Sequence, residues 1–332
     1  MKAVSHDLNR AYSKLAREVL PEVLIVYAIK YTLSTSIKMV LVMKLKIGLF
    51  VLTTLFCTSL SFQSGAKGLE KDWWIADEYI KKSSLQYKWG VDYIMAFPLK
   101  GDEHILDIGA GDGQLTALLA KRVPFGSVLG IDKSKSMSTK ALETFSGKQF
   151  TNLSFQTKGA ETIDFQDQFD WVISFNCFHW IKDLDQTFQR IQKALKKGGK
   201  LFLFFAPDHG RDRFDHAIKD VMGRQKWKSF FTDFTSDFNL ITPLKTLELA
   251  NKNGLLLEHM KIIKVNEIFK SKNAFADWIS GWIPHTKYLP ESLRDAFIGE
   301  VIERYLERRP GSDQNGKIIY FDYWLEILVE KS

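Results

Sequence analysis

The chain has 332 residues, 45% of them hydrophobic, which is enough to bury a full core, and its two cysteines are too few for a disulfide framework or a metal cluster. Its formal charge of +7 is concentrated at one end: residues 1–66 hold eight Lys/Arg against three Asp/Glu, and the rest of the chain holds 38 against 36. A near-neutral body with the excess confined to one end argues against a nucleic-acid footprint, and there is no internal repeat or low-complexity tract.

The N-terminal third of that charge story has a pattern of its own. Met43-Lys44-Leu45-Lys46 leads into an uncharged run at 47–62 and then Gln63-Ser64-Gly65-Ala66. A basic start, an apolar middle and small polar residues at the end are the layout of a secretory signal. The run is shorter than the roughly 18 residues that usually span a bilayer, and Phe62-Gln63 is no A-x-A cleavage site. Two readings follow: a signal or signal-anchor that starts at Met43, with 1–42 a misassigned extension, or a helix that anchors or is buried.

Further on, Ile105-Leu106-Asp107-Ile108 reads as a buried strand, and Gly109-Ala110-Gly111-Asp112-Gly113 turns it into a helix beginning near Gln114. Glycine serves where a side chain would block φ > 0 or the approach of a ligand, and such a unit binds a nucleotide-like ligand at the carboxyl end of a parallel strand. The register is G-x-G-x-G, whereas a dinucleotide fold would want glycine where Gln114 stands. A second strand, 127–132, ends in Asp132, 19 residues after Gly113, the separation that brings a carboxylate to a ribose diol. A third strand is expected at 153–157, followed by Lys158-Gly159-Ala160-Glu161. The fourth starts at Phe169 and breaks into Asn176-Cys177-Phe178-His179-Trp180. Helical spacing then runs through Leu184, Phe188, Ile191 and Leu195, with Lys197-Gly198-Gly199 as a left-handed stop before a fifth strand at 200–205.

The glycine run behind Asp107, the segment Asp132-Lys133-Ser134-Lys135-Ser136-Met137, and the stretch from Ser174 through His179-Trp180 to Gly198-Gly199 together resemble the class I S-adenosylmethionine (SAM) methyltransferases. Within that class they resemble the trans-aconitate 2-methyltransferase and juvenile hormone acid methyltransferase group. The resemblance covers about 72–330 and is strongest over 104–206. It implies an α/β fold, a doubly wound, Rossmann-like, seven-stranded and mostly parallel sheet with a helical cap. A terminal hairpin at 255–264 and 317–329 would supply the antiparallel last strand, and a long helix is expected around 290–309. SAM is the implied cofactor. The residues carried over to it are Asp107, Gly109, Ala110, Gly111, Gly113, Asp132, Lys133, Met137, Ala160, Glu161, Asn176 and Gln86. Asp132 is expected on the ribose and Met137 against the adenine. Gln86 belongs to a segment, Tyr79-x-x-x-Ser83-Ser84-x-Gln86, that lids the cofactor in relatives. Many relatives carry Asp at the position of Gly159; here Ala160 N–H and Glu161 are left to contact the adenine.

The implied reaction is methyl transfer to a small-molecule acceptor, a carboxylate foremost. A carboxylate needs positioning and no base; a hydroxyl or amine would need a proton removed, and His179 would be that base. Its other roles are positioning or plain structure. Trp180, Trp278 and Trp282 are expected as pocket walls, the last two on one helix face at i, i+4, with core packing the alternative. Arg211 and Arg213 are either a carboxylate clamp or surface residues. A lipid or amine acceptor at a membrane, and a degenerate SAM-binding module without catalysis, stand as further readings. The domains expected are an extension at 1–66 and a methyltransferase domain at 67–332, with its core at 100–206 and cap elements in 207–250 and 270–310. SAM is made in the cytosol, so a monomeric cytoplasmic catalytic domain is expected, membrane-held if 47–62 anchors it and exported if 43–66 is a cleaved signal. No metal and no nucleic-acid partner are expected.

Overall fold

The structure, a computed structural model, describes Asp72 and residues 74–145, 147, 149–236 and 238–332. The readings placed on 1–66, including the signal-like 43–66 and the apolar run 47–62, lie outside the described residues. Residues 71–332 form one compact unit.

Five parallel strands build the centre: β1 His104–Ile108, β2 Ser127–Asp132, β3 Leu153–Thr157, β4 Phe169–Phe175 and β5 Leu195–Phe205. Their spatial order is β3-β2-β1-β4-β5, so the winding reverses between β1 and β4. There Leu106 pairs with Leu129 on one side and Val172 on the other. A long hairpin extends the sheet: β8 (Lys317–Lys331) runs antiparallel to β5, and β6 (Leu255–Phe269) antiparallel to β8. A two-residue strand, β7 (Asp313–Gln314), pairs with the start of β8. The hairpin is longer than its sequence pattern indicates, because both strands keep pairing out to Phe269 and Ile318.

Neighbouring residues of a central strand face opposite sides, and this chain fills both sides. Ile105 and Ile173 join a core with Phe97, Phe202 and Phe214, while Leu106 and Val172 join a second core with Phe188 and Ile191. The helices that follow the strands are α3 (Gln114–Arg122), α4 (Lys135–Phe145) and α5 (Leu184–Ala194). Ahead of β1 lie α1 (Ala76–Ile80) and α2 (Ser84–Ala96). After β5 come α6 (Phe214–Met222), α7 (Pro243–Lys252), α8 (Lys272–Ser280) and α9 (Glu291–Arg308). Phe214, Phe275 and Phe297 place α6, α8 and α9 in the first core; α7 instead buries Leu249 and Ala250 in the second, against the far face of the sheet. The α6–α9 seam is tied by ions, with Arg304 and Arg308 both at 2.7 Å from Asp220.

One boundary departs from the sequence pattern. Helix α5 ends at Ala194, and Leu195 caps it in an extended conformation. Leu195 pairs with Phe169, but the next pairing is Trp171 with Lys200, so the intervening residues bulge out. Gly198 at φ 72° therefore shapes a bulge in β5 and does not stop the helix.

Among the described residues no helix is long and apolar enough to cross a membrane, and no cluster of His, Cys, Asp and Glu could hold a metal ion.

The turn from β1 into α3 depends on Gly113, which caps α3 at φ 82°. A Cβ there would lie 2.7 Å from the Phe155 ring and 2.9 Å from the Ala141 Cβ. Left-handed strain and overpacking add, so Gly113→Ala is expected to cost roughly 2–4 kcal/mol of unfolding free energy. Chemical denaturation measures it; a loss below half a kcal/mol, on the order of an ordinary surface change, would mean the loop relaxes freely.

Candidate active site

The cleft opens at the carboxyl ends of β1, β2 and β4, the crevice where doubly wound sheets take their ligands. Gly109 N and Ala110 N both donate to Ile131 O, at 2.8 and 3.0 Å, which pins the glycine loop to β2. Gly111 N donates to Asp132 Oδ2 at 3.0 Å, and Ser134 N to Asp132 Oδ1 at 2.8 Å. Asp132 is thereby fixed at the lip of the cleft. Burial raises its pKa, with the two backbone donors working against that. A Cβ on Gly111 would meet no protein atom within 4 Å. The loop thus borders open space at the point where its backbone is best placed to approach a ligand.

This first cavity, about 1010 Å³ including its mouth, is lined by Gly109, Ala110, Gly111, Asp132, Lys133, Met137, Ala160, Glu161, Asn176 and Gln86. Those are the residues named from the sequence, with two exceptions. Gly113 lies below, as the cap of α3. Asp107 is 3% exposed behind the loop, where the Thr116 hydroxyl donates to it at 2.7 Å. Burial, reinforced by the charge of Asp132 and opposed by Thr116, pushes the Asp107 carboxyl up to about 7. Glu161 Oε2 lies 3.2 Å from where a Cβ of Gly159 would stand, so a carboxylate reaches the neighbourhood of that position from two residues on.

A second cavity adjoins the first. Trp74, Tyr79, Gln86, Asn176 and Trp180 line both. Beyond that junction it is walled by His179, Trp278 and Trp282, again as read from the sequence, and by Trp89, Arg213, Phe238, Tyr320 and Trp324. Trp278 lies within α8, but Trp282 follows its cap Gly281, so the two do not share a helix face; their rings still meet edge-on at 5.4 Å. Of the two arginines, Arg213 is buried in the wall and paired with Asp208 and Asp215, whereas Arg211 stacks over Tyr323.

The roof comes from the segment ahead of β1. Asp72 Oδ2 accepts from Ser134 Oγ at 2.9 Å, Ala76 N donates to Ser136 Oγ at 3.1 Å, and Trp74 meets Trp180 edge-on at 5.2 Å. Trp278 Nε1 donates to Gln86 Oε1 at 3.3 Å, joining the roof to α8. Trp74, Trp89 and Trp324 carried no signal in the sequence, because what places them in a cavity wall is the docking of distant segments.

His179 is 6% exposed, and burial drops its pKa to about 3. Ala206 N donates to its Nδ1 at 3.4 Å, so that nitrogen holds a lone pair and the neutral ring carries its proton on Nε2. Among the described residues four buried side-chain polar atoms have no partner, and three of them, Asn176 Oδ1, Trp282 Nε1 and Trp324 Nε1, belong to cavity walls. Buried polar atoms are ordinarily paired, which singles these three out among the wall groups.

With that geometry in view, comparisons place the chain. Residues 105–199 match the family model described as a methyltransferase domain. The protein named methyltransferase 235L of Invertebrate iridescent virus 6 is 28% identical over 234 residues, covering 70% of this chain and 85% of that protein. Trans-aconitate 2-methyltransferase of Deinococcus radiodurans is 28% identical, covering 77% and 97%. Juvenile hormone acid O-methyltransferase of Drosophila melanogaster is 24% identical, covering 61% and 71%. A methyltransferase-like crystal structure from Bacillus halodurans superposes with a TM-score of 0.54 at 18% identity, over 73% of this chain and 98% of the other, which speaks to the fold. The chain carries a methyltransferase domain and has the fold of the class I methyltransferases. Its methyl donor is S-adenosylmethionine.

Asp107 offers a test with a sign. A carboxyl raised from about 3.9 when unfolded to about 7 when folded leaves the folded state binding more protons, so stability is lost as pH rises through that window. In Asp107→Asn the amide keeps an acceptor for Thr116 and cannot ionise. Without ligand, the variant is expected to be more stable than the parent at pH 8 by on the order of 2–4 kcal/mol. The gap should close toward pH 4. Denaturation at the two pH values reads it, and a gap that does not change with pH would show that Asp107 ionises normally.

Proposed function

We propose that this enzyme methylates the carboxylate of a small organic acid held in the second cavity. The observation that carries the reading is the pair of buried, unpartnered indole donors in its wall, Trp282 Nε1 and Trp324 Nε1. Neutral N–H groups in an aromatic cavity suit an anion whose oxygens only accept. The names of the Deinococcus and Drosophila relatives, which specify acid substrates, support the same class.

The first cavity fits the donor. SAM supplies a methyl group on a sulfonium, an electrophile with a good leaving group. Around it we assign Gly109–Gly111 to the methionine portion, Asp132 to the ribose hydroxyls, Met137 to one adenine face, and Ala160 N–H with Glu161 to the adenine edge. Asn176 Oδ1, buried and unpartnered at the junction, is assigned to the donor's ammonium. Asp112, Asp132 and Glu161 line this cavity beside Lys133 and Lys158, so the lining groups sum to one negative charge. Asp107 acts through the loop it supports.

In the transfer an acceptor oxygen forms a bond to the methyl carbon while the carbon–sulfur bond breaks, and its electron pair stays on sulfur. A carboxylate releases no proton, so no base is required. His179 accords with this, because its Nδ1 is engaged by Ala206 and its remaining proton makes it a donor. The aromatic walls and the roof at Trp74 and Tyr79 exclude water and hold the oxygen in line, which is most of what such a reaction asks of a protein. We assign the domain to the cytosol, because the donor is made there.

Two experiments test these assignments. Losing a charge-assisted contact to the ribose is worth roughly 1.5–3 kcal/mol, so Asp132→Ala should weaken SAM affinity about 10- to 150-fold in titration calorimetry; an unchanged dissociation constant would remove Asp132 from the site. For the acceptor, Trp324→Phe keeps the ring and deletes the donor. It should raise KM for the acid several-fold and leave SAM affinity alone. Turnover of His179→Gln should fall by less than about tenfold, since a carboxylate acceptor needs no proton removed; a loss of roughly 10²- to 10⁴-fold, the usual worth of a general base, would make His179 a base and exclude the carboxylate.

A further inference from the structure

Which acids the second cavity accepts depends on the charge already built into its wall, and this step rests on the carboxylate reading above. Three formally charged side chains line that cavity: Arg213, Asp215 and Asp322. Arg213 is the only cation of the three, and three of its five N–H donors go to aspartates. Its Nε donates to Asp215 Oδ1 at 2.8 Å and its Nη1 to Asp208 Oδ1 at 2.6 Å, with Nη2 a further 3.3 Å from Asp215 Oδ2. Asp215 takes a second cation, Lys219, at 2.7 Å. Asp322 accepts from His209 Nε2 at 3.0 Å and from Tyr323 N at 2.8 Å. The lining groups therefore sum to one negative charge, and the one cation among them is already shared between two aspartates. The unpartnered donors are neutral indoles.

Such a wall can hold one carboxylate through N–H groups. A second carboxylate on the same molecule would be desolvated among Trp278, Trp282 and Tyr320, facing Asp215 and Asp322, with the one guanidinium already shared between two aspartates. Buried like charges without a compensating cation are strongly disfavoured, and specificity is often built by such repulsion against the wrong ligand. We infer that the Asp208–Arg213–Asp215 cluster is a specificity filter that admits acids with a single carboxylate and rejects those with two or more, a tricarboxylate such as the trans-aconitate of the Deinococcus relative's name included, with Asp215 as the specificity-determining residue.

The test uses the full-length chain and chain-matched probes: octanoate, octanedioate and octylamine. Binding is read by tryptophan fluorescence with S-adenosylhomocysteine present, and transfer by label from methyl-labelled SAM. Octanoate is expected to bind at least roughly tenfold more tightly than octanedioate, a gap of about 1.4 kcal/mol. In Asp215→Asn, which leaves Arg213 with one carboxylate partner fewer, the gap should shrink to about threefold or less, and Asp208→Asn, farther from the cavity, should narrow it in the same direction. The preference of the parent protein is informative by itself if a variant does not fold. Equal affinity of the parent for octanoate and octanedioate overturns the filter and leaves the carboxylate reading standing. A preference that persists unchanged in a cooperatively folded Asp215→Asn overturns the role of Asp215. Binding of octylamine with neither acid bound, or no binding of either acid, overturns the carboxylate reading itself.

Discussion

The 3.0 Å hydrogen bond from Gly111 N to Asp132 Oδ2 is the point on which the site depends. It joins the loop after β1 to the end of β2, and so fixes two walls of the donor cavity with one contact. Asp132 can serve there only because Ser134 N satisfies its other oxygen, and Ser134 in turn donates its hydroxyl to Asp72 in the roof. A chain of three polar contacts thus runs from the glycine loop to the segment that covers the cleft. Partly satisfied buried networks are costly and fully satisfied ones rigidify, so cofactor site and roof are expected to be ordered together.

Much of this was legible before any coordinates. The segments 127–132 and 153–157 read from apolar pattern coincide with β2 and β3, and the long helix around 290–309 with α9 at Glu291–Arg308. Parallel strands buried on both faces give near-continuous apolar runs, and the glycine register gave the turn. Elsewhere local pattern was misleading. Leu195 completes a helical repeat with Leu184, Phe188 and Ile191, yet it leaves the helix because its place in the sheet, opposite Phe169, is worth more than one further helical residue. Trp278 and Trp282 at i, i+4 suggest a shared helix face, but Gly281 ends the helix between them.

The acceptor cavity was the least legible part, for a topological reason. Its walls come from β4's end, β5's exit, α2, α8 and β8, and the sequence separations among these exceed any local periodicity. Trp324 is one aromatic in an alternating strand and reads as core; only the docking of β8 beside β5 brings its ring to 5.8 Å from His179. Arg213 could be read equally as clamp or surface. Its burial overturns the surface reading: paired with Asp208 and Asp215, it stands inside a cavity wall.

The two cavities differ in the polar groups they leave unpaired more than in lining charge. The first has Asp112, Asp132 and Glu161 beside Lys133 and Lys158 on its walls, with Asp107 behind them, its carboxyl raised by burial. The second leaves two neutral indole donors unpaired in its wall. On the proposed carboxylate reading, methyl transfer would remove the positive charge from sulfur and the negative charge from the acceptor oxygen together, which would favour release of a neutral ester and a neutral thioether. Trp74 and Tyr79 line both cavities, and Trp74 packs edge-on against Trp180, so one packed segment borders donor and acceptor spaces alike.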